Sequence, residues 1–405
     1  MNRWAIFKCS YGAKRVTLLG DMIILALAFA CSLVAAFLAL WIVVPAPSYR
    51  FFELAVGASE WSLWIGLLGL AGAFLSLKAR AAGSNSVAAF GALAVGILAF
   101  ALSLIPHLSA WRVGHNQNFS LSLKEYIFGA ADANSTAVER KTLTFARFDT
   151  QALELDVYQL PVSDETKRPA LIVVHGGSWN AGDKGDYPRW NNWLAAQGFV
   201  VFDIQYRLAQ PNWQTATGDV KCAIRWVKEH ATEFEIEAER IALLGRSAGG
   251  HLALLAAYTA DNPQLPPSCG RDETRTDVRA VVSLYGATDL VWGHAHPDNL
   301  RVLDGPAKIR AFLGGAPAMI PERFTLLSPV THVGRVPTLM IHGGHDQLVG
   351  DEHTRRLASR LQASNAPHRA IYLPYAQHAF DYNFNGWGSQ LARQALLDFL
   401  HRYLN

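Results

Sequence analysis

The sequence is short of sulfur and of charge. It has four cysteines and four methionines in 405 residues. Cys9, Cys31, Cys222 and Cys269 form no C-x-x-C pair, which argues against a zinc or dithiol redox centre. Cys31 falls in an apolar run. Cys222 and Cys269 would pair if their region meets an oxidising compartment, and would otherwise be two unrelated thiols. Charged residues make up 17% of the chain, and the formal net charge is +3. No basic run is interleaved with aromatics, so a nucleic-acid partner has no support. No long single-sign block marks a charged, disordered tail. The scarcity of charge is uneven: residues 16–111 are nearly uncharged, whereas the remainder has ordinary globular composition.

Long apolar runs fill that first part. Met22 to Val44 is free of charge. At about 1.5 Å per helical residue it reaches roughly 34 Å, enough for a hydrocarbon layer of about 30 Å. Ser86 to Trp111 is a second such run, with His107 its only titratable residue. Trp61 to Leu77 is shorter and needs extension back to Leu54, which brings Glu60 into the span. Three transmembrane helices are therefore expected near 20–44, 55–77 and 86–108, with Glu60 near an end or facing another helix. The first run is too long for a signal peptide, and no small-x-small cleavage site follows it. Gly66, Gly69, Gly72, Gly91 and Gly96 suit close helix packing, as in an anchor bundle. Arg3, Lys8, Lys14, Arg15, Lys78 and Arg80 would lie on one side, and Arg50, Arg112 and Lys124 on the other. The excess places the N-terminus in the cytoplasm and everything after about residue 112 outside, as expected for a bacterial inner-membrane protein. Residues 113–137 read as a linker.

From 138 to 405 the pattern is short apolar runs alternating with helical stretches. Leu153–Leu160 alternates like a strand, and Ala170–Val174, Phe199–Ile204, Ile241–Leu244, Ala280–Leu284, Thr338–Ile341 and Arg369–Leu373 read as buried strands. Helices are expected near 187–197, 218–233, 351–363 and 387–403, with Val220, Ala223, Ile224 and Val227 on one helical face. This alternation predicts an α/β fold, a mainly parallel sheet with helices on both faces. The less regular stretch 288–330 could carry a cap over a site.

Four loops carry chemistry. Gly245-Arg246-Ser247-Ala248-Gly249 is a Gly-x-Ser-x-Gly motif between a strand and a helix. The sharp turn needs small residues beside the serine, and lifts its hydroxyl to a helix N-terminus that favours developing negative charge. His175-Gly176-Gly177-Ser178-Trp179 follows a buried strand. Main-chain N–H groups of Gly176 or Gly177, with that of Ala248, could form an oxyanion hole. Ser178 stands where a third glycine is commoner, and His175 reads as structural. His342-Gly343-Gly344-His345-Asp346 and Gln377-His378-Ala379-Phe380 follow later strands. They complete the chain order Ser247, Asp346, His378, in which His378 relays the proton and Asp346 orients the imidazole. Asp289 is the rival carboxylate. His294/His296 and His342/His345 lack the spacing and carboxylates of a metal site.

These four segments, with Asp-Ile-Gln-Tyr-Arg (203–207), resemble the bacterial esterase/lipase branch of the α/β-hydrolases, which includes hormone-sensitive-lipase-like carboxylesterases and acetyl or feruloyl esterases. The resemblance covers roughly 140–405. It implies hydrolysis of small-molecule, carbohydrate or lipid esters through an acyl-enzyme without a cofactor, and a structural role for Tyr206 and Arg207. A serine peptidase of the prolyl-oligopeptidase kind shares the serine motif and the triad order. A hydrolase fold used only for binding is the non-enzymatic alternative.

Overall fold

The computed structural model describes residues 3–129, 137–149, 151–161, 167–270 and 274–404, with side chains from residue 20 onward. The side chains of Arg3, Lys8, Cys9, Lys14 and Arg15 lie outside that set, as do residues 130–136 of the expected linker. The chain divides into two compact units at Arg112/Val113.

The first unit is helical. α1 (Arg3–Val43), α2 (Tyr49–Glu60), α3 (Ser62–Ala81) and α4 (Ser86–Gln117) follow one another. Among the described residues, three stretches are long and apolar enough to cross a membrane: Gly20–Val43, Ser62–Ala81 and Ser86–Gln117. The expected middle span, 55–77, differs from the observed elements: Leu54 to Glu60 belong to α2, and the helix long and apolar enough to cross a membrane starts at Ser62. Trp61 makes the break. Its backbone (φ −111°, ψ 25°) leaves the helix, and its N–H closes α2 on the Gly57 carbonyl at 2.9 Å. Mean hydropathy does not register such a turn. Glu60 lies at the buried end of α2.

Small residues bring the helices of this unit together. A Cβ on Gly96 would stand 2.5 Å from the Gly69 carbonyl oxygen, and one on Gly72 would stand 2.3 Å from Ser32 Oγ. Gly91 departs from the expectation; it faces open space.

The second unit opens with α5 (Leu123–Phe128), inside the stretch read as a linker, and then forms a sheet. Its strands are β1 (Glu139–Phe148), β2 (Gln151–Gln159), β3 (Arg168–Val174), β4 (Val200–Ile204), β5 (Ile236–Arg246), β6 (Ala280–Leu284), β7 (Thr338–Gly343) and β8 (His368–Leu373). They lie in the order β1-β2-β4-β3-β5-β6-β7-β8. β1–β2 and β2–β4 pair antiparallel, and all other neighbours are parallel. The helices are α6 (Pro188–Ala196), α7 (Trp213–Glu229), α8 (Ala248–Tyr258), α9 (Leu290–Ala295), α10 (Gly305–Leu313), α11 (Pro321–Leu326), α12 (Glu352–Ala363) and α13 (Trp387–Leu404).

Both faces of the sheet are covered. Ala170, Ile172 and Val174 of β3 pack into one cluster with α7 and α8. The alternate residues Leu171 and Val173 are equally buried and belong to the opposite face. Val220, Ala223, Ile224 and Val227 form the buried face of α7, as their spacing predicts. β1 has no counterpart in the sequence reading. It is an edge strand whose first four residues are exposed, and a register shift between Thr144 and Ala146 interrupts the alternation of Leu143, Phe145 and Phe148. The parallel order places the C-terminal ends of β3, β5, β6, β7 and β8 along one edge of the sheet, and loops that leave β3, β5, β7 and β8 there form the site.

Candidate active site

β5 delivers Ser247 at the entry to α8. Ser247 has φ 53° and ψ −121°, a conformation L-residues rarely adopt, costing about 1–3 kcal/mol that the surroundings must offset. The flanking glycines show how tight the turn is. A Cβ on Gly245 would stand 2.1 Å from the Gly249 carbonyl oxygen, and one on Gly249 would stand 2.1 Å from that of Val174. Any side chain at either position would push the elbow open.

The loops after β7 and β8 bring two further groups to this turn. His378 Nε2 lies 2.9 Å from Ser247 Oγ, and His378 Nδ1 lies 2.6 Å from Asp346 Oδ2. Asp346 Oδ1 accepts main-chain N–H groups from Leu348 and Val349, each at 2.9 Å. His342 Nε2 stands 3.4 Å from Asp346 Oδ2. Burial alone would raise the Asp346 carboxyl, but His378 and His342 hold it below the ordinary carboxylate range. His342 itself is fixed by Thr354 Oγ1 and the Val349 carbonyl, both at 2.7 Å. The sequence marked His342 only as half of a weak metal pair; its contact with Asp346 needs the fold to be seen.

Gly176 and Gly177 leave β3 beside the elbow. A Cβ on Gly176 would come within 3.2 Å of Ser247 Cβ, so the main chain passes directly against the serine. Gly177 has φ 107°, and a Cβ there would collide with the Ala181 carbonyl at 2.1 Å. Ser178 and Trp179 also have positive φ, 51° and 62°. The stretch Gly177–Trp179 is thus coiled left-handedly without needing a third glycine. Ala248 opens α8, so its N–H belongs to the first turn, which has no intrahelical acceptors. Tyr206 donates its hydroxyl towards the His175 and Gly176 carbonyls, and Arg207 pairs with Asp219 at 2.5 Å. His175 is buried, stacks on Tyr206 and has its pKa lowered by burial.

The other sequence candidates sit elsewhere. Asp289 caps α9 through the Trp292 N–H and pairs with Arg356 at 2.9 Å. His294 meets Arg310, and His296 meets the Trp292 carbonyl. Trp179 is buried but does border the site, donating its indole N–H to His251 Nδ1 at 3.1 Å.

A small cavity of about 60 Å³ opens above Ser247 and His378. That is room for a handful of water-sized volumes. Trp179, Ala287, Ile309 and Val349 supply apolar walls, with Asp298 and Lys308 also on the lining. Much of this wall comes from 290–313, where α9 and α10 form the cap that the irregular sequence stretch suggested. The Cys222–Cys269 disulfide, Cα–Cα 5.7 Å, closes the pair the sequence left open.

Comparison with known proteins agrees with this architecture. A sequence model of the BD-FAE family matches residues 155–361, half of the chain. The chain belongs to the BD-FAE family. The BD-FAE match includes Gly176, Gly177, Ser247, Ala248 and Asp346, whereas His378 lies beyond its end, so the place of His378 rests on the geometry above. Probable carboxylic ester hydrolase LipM of Mycobacterium tuberculosis is 35% identical over 239 residues, 57% of this chain and 54% of that protein. Esterase LipC of the same organism is 35% identical over 240 residues, 58% of each. The chain thus spans just over half the length of these relatives. Apo esterase 2 of Thermogutta terrifontis superposes with a TM-score of 0.53 at 25% identity, over 67% of this chain and 95% of that one. The fold is that of the α/β-hydrolase esterases.

Proposed function

We propose that this chain is a membrane-anchored serine hydrolase that cleaves carboxylic esters of short acyl groups through an acyl-enzyme. The observation that carries the reading is the continuous contact from Ser247 Oγ to His378 Nε2 at 2.9 Å and from His378 Nδ1 to Asp346 Oδ2 at 2.6 Å. Ser247 Oγ attacks the ester carbonyl while its proton passes to His378 Nε2. The oxyanion is met by the N–H of Ala248 and those of Gly176 or Gly177, each donor worth about 3–4 kcal/mol of transition-state stabilisation. The ester C–O bond breaks, and His378 returns the proton to the departing alkoxide. Water then attacks the acyl-enzyme with His378 again as base, releasing the carboxylic acid and restoring Ser247. Asp346 stabilises the imidazolium in both steps.

The narrow cavity and its apolar walls favour a short acyl group. The esterase names of the relatives point to the same bond type. The helices Gly20–Val43, Ser62–Ala81 and Ser86–Gln117 supply the anchor in this reading, with the hydrolase unit outside the cytoplasm. The excess of Lys and Arg on the opposite side supports that orientation, and so does the Cys222–Cys269 disulfide, which persists in oxidising compartments.

A panel of p-nitrophenyl esters and peptide anilides, assayed on the full chain in detergent, tests the reading. Turnover of acetate and butyrate esters, falling steeply with longer acyl chains and absent for anilides, is expected. Anilide cleavage at rates matching the esters would turn the assignment to a peptidase.

A further inference from the structure

The residue before the nucleophile is an arginine, and its side chain is only 2% exposed. A buried guanidinium needs a counter-charge, or it costs several kcal/mol. Arg246 Nε finds Asp381 Oδ2 at 2.5 Å, and the Asp381 side chain is itself fully buried. Asp381 lies three residues after His378, on the same loop. Its other carboxylate oxygen accepts the Tyr285 hydroxyl, and its main-chain carbonyl accepts the Trp190 indole N–H at 2.8 Å. Tyr285 lies against the His378 imidazole, with ring centroids 4.5 Å apart and planes at 57°.

The guanidinium is not satisfied as a purely structural pair would be. Arg246 Nη1 and Nη2 are buried without a hydrogen-bond acceptor among the described residues. They are left to the faces of Tyr187 and Trp190, whose centroids lie 4.2 and 5.3 Å from the guanidinium carbon. Buried pairs of this kind are often no more stable than apolar residues of equal volume. What the pair does provide is a direct tie between two loops. One end is covalently next to Ser247, and the other is on the loop of His378, with Tyr285 wedged beneath the imidazole.

Resting on the serine-hydrolase reading, we propose that Arg246, Asp381 and Tyr285 are positioning residues that hold His378 in register with Ser247. They touch no substrate and act through the elbow and the base. A displacement near 1 Å at the reacting atoms costs on the order of 100-fold in rate. The tie therefore bears on kcat, whereas the cavity that receives the acyl group is left as it is.

The test compares Asp381→Asn, Tyr285→Phe and the double variant Arg246→Met/Asp381→Leu in the full chain. Asp381→Asn is expected to lower kcat about 100-fold with KM within about twofold, and Tyr285→Phe to lower it several-fold. The apolar double variant is expected to regain thermal stability while kcat stays low, because the tie is gone. A merely structural pair would instead return kcat together with stability in the double variant, and that result overturns the proposal. Wild-type kcat in folded Asp381→Asn overturns it as well. The downfield proton resonance of His378 Nδ1–H against Asp346 reads the base without turnover. It is expected to shift or vanish in Asp381→Asn, and an unchanged resonance would contradict the positioning role. Loss of Ser247-dependent turnover in the wild-type chain would strike the hydrolase reading instead, and the resonance would still judge the tie.

Discussion

Tyr206 reaches from the end of β4 to the Gly176 main chain, its hydroxyl 3.3 Å from that carbonyl and 3.3 Å from the His175 carbonyl. The ring is buried and stacks on His175. A tyrosine in the Asp-Ile-Gln-Tyr-Arg segment thus braces the loop whose N–H groups the proposed mechanism offers to the oxyanion. Tyr206→Phe keeps the ring and removes the brace. A net loss of about 1 kcal/mol in stability is expected. If the loop loosens, kcat falls several-fold more than KM changes, as steady-state kinetics on a short ester would show. Unchanged kcat would limit Tyr206 to a packing role.

Two buried histidines beside the site serve as hydrogen-bond acceptors, so they must be neutral. His251 Nδ1 accepts from Trp179, and His353 Nδ1 from the Thr288 and Asp289 N–H groups. Burial lowers His251 to about 4 and His353 to about 3, from 6.5. Both are depressed below the unfolded value. Their contribution is therefore present above pH 6.5 and is lost as pH falls towards 4 and 3. For His251 the gap corresponds to roughly 3 kcal/mol. Asp203, pushed up to about 7 by burial, acts in the opposite sense, losing stability as pH rises from about 4 to 7. Comparing His353→Gln with the parent isolates the histidine. Its melting temperature should fall less steeply than the parent's between pH 6.5 and 4, and equal slopes would contradict the assignment.

Cys222 and Cys269 close a loop with a sequence separation of 47. Chain-entropy reasoning gives about 4 kcal/mol for a loop of that length. Replacing both by serine should lower the urea midpoint accordingly while leaving ester turnover at low temperature intact, because neither residue lines the cavity. Non-reducing peptide mapping of protein from bacterial membranes should find the pair oxidised. A free-thiol pair there would argue against the outward orientation.

The candidate site was legible where its residues sit in short loops at strand ends. Ser247, Asp346 and His378 each follow a buried run, and such runs are read from apolar continuity. The structure brings these three together and sets Gly176 against the serine. Contacts between distant segments were not legible. Nothing in the linear order ties Arg246 to Asp381. β1 stayed hidden because its first four residues are exposed and a register shift between Thr144 and Ala146 interrupts its apolar alternation. The break at Trp61 stayed hidden because an apolar residue can turn a chain as well as continue a helix. The cap was anticipated only as irregularity, since short helices such as α9 leave too few turns for a periodic pattern.

Covalent labelling tests the central claim most directly. The full chain is treated with a fluorophosphonate, and the adduct is located by peptide mass. One adduct per chain on Ser247 is expected, with loss of ester turnover in step with labelling. Ser247→Ala should be neither labelled nor active, and His378→Ala should label at least about 1,000-fold more slowly. An adduct on another residue, or ester turnover in Ser247→Ala equal to that of the parent chain, would contradict the account.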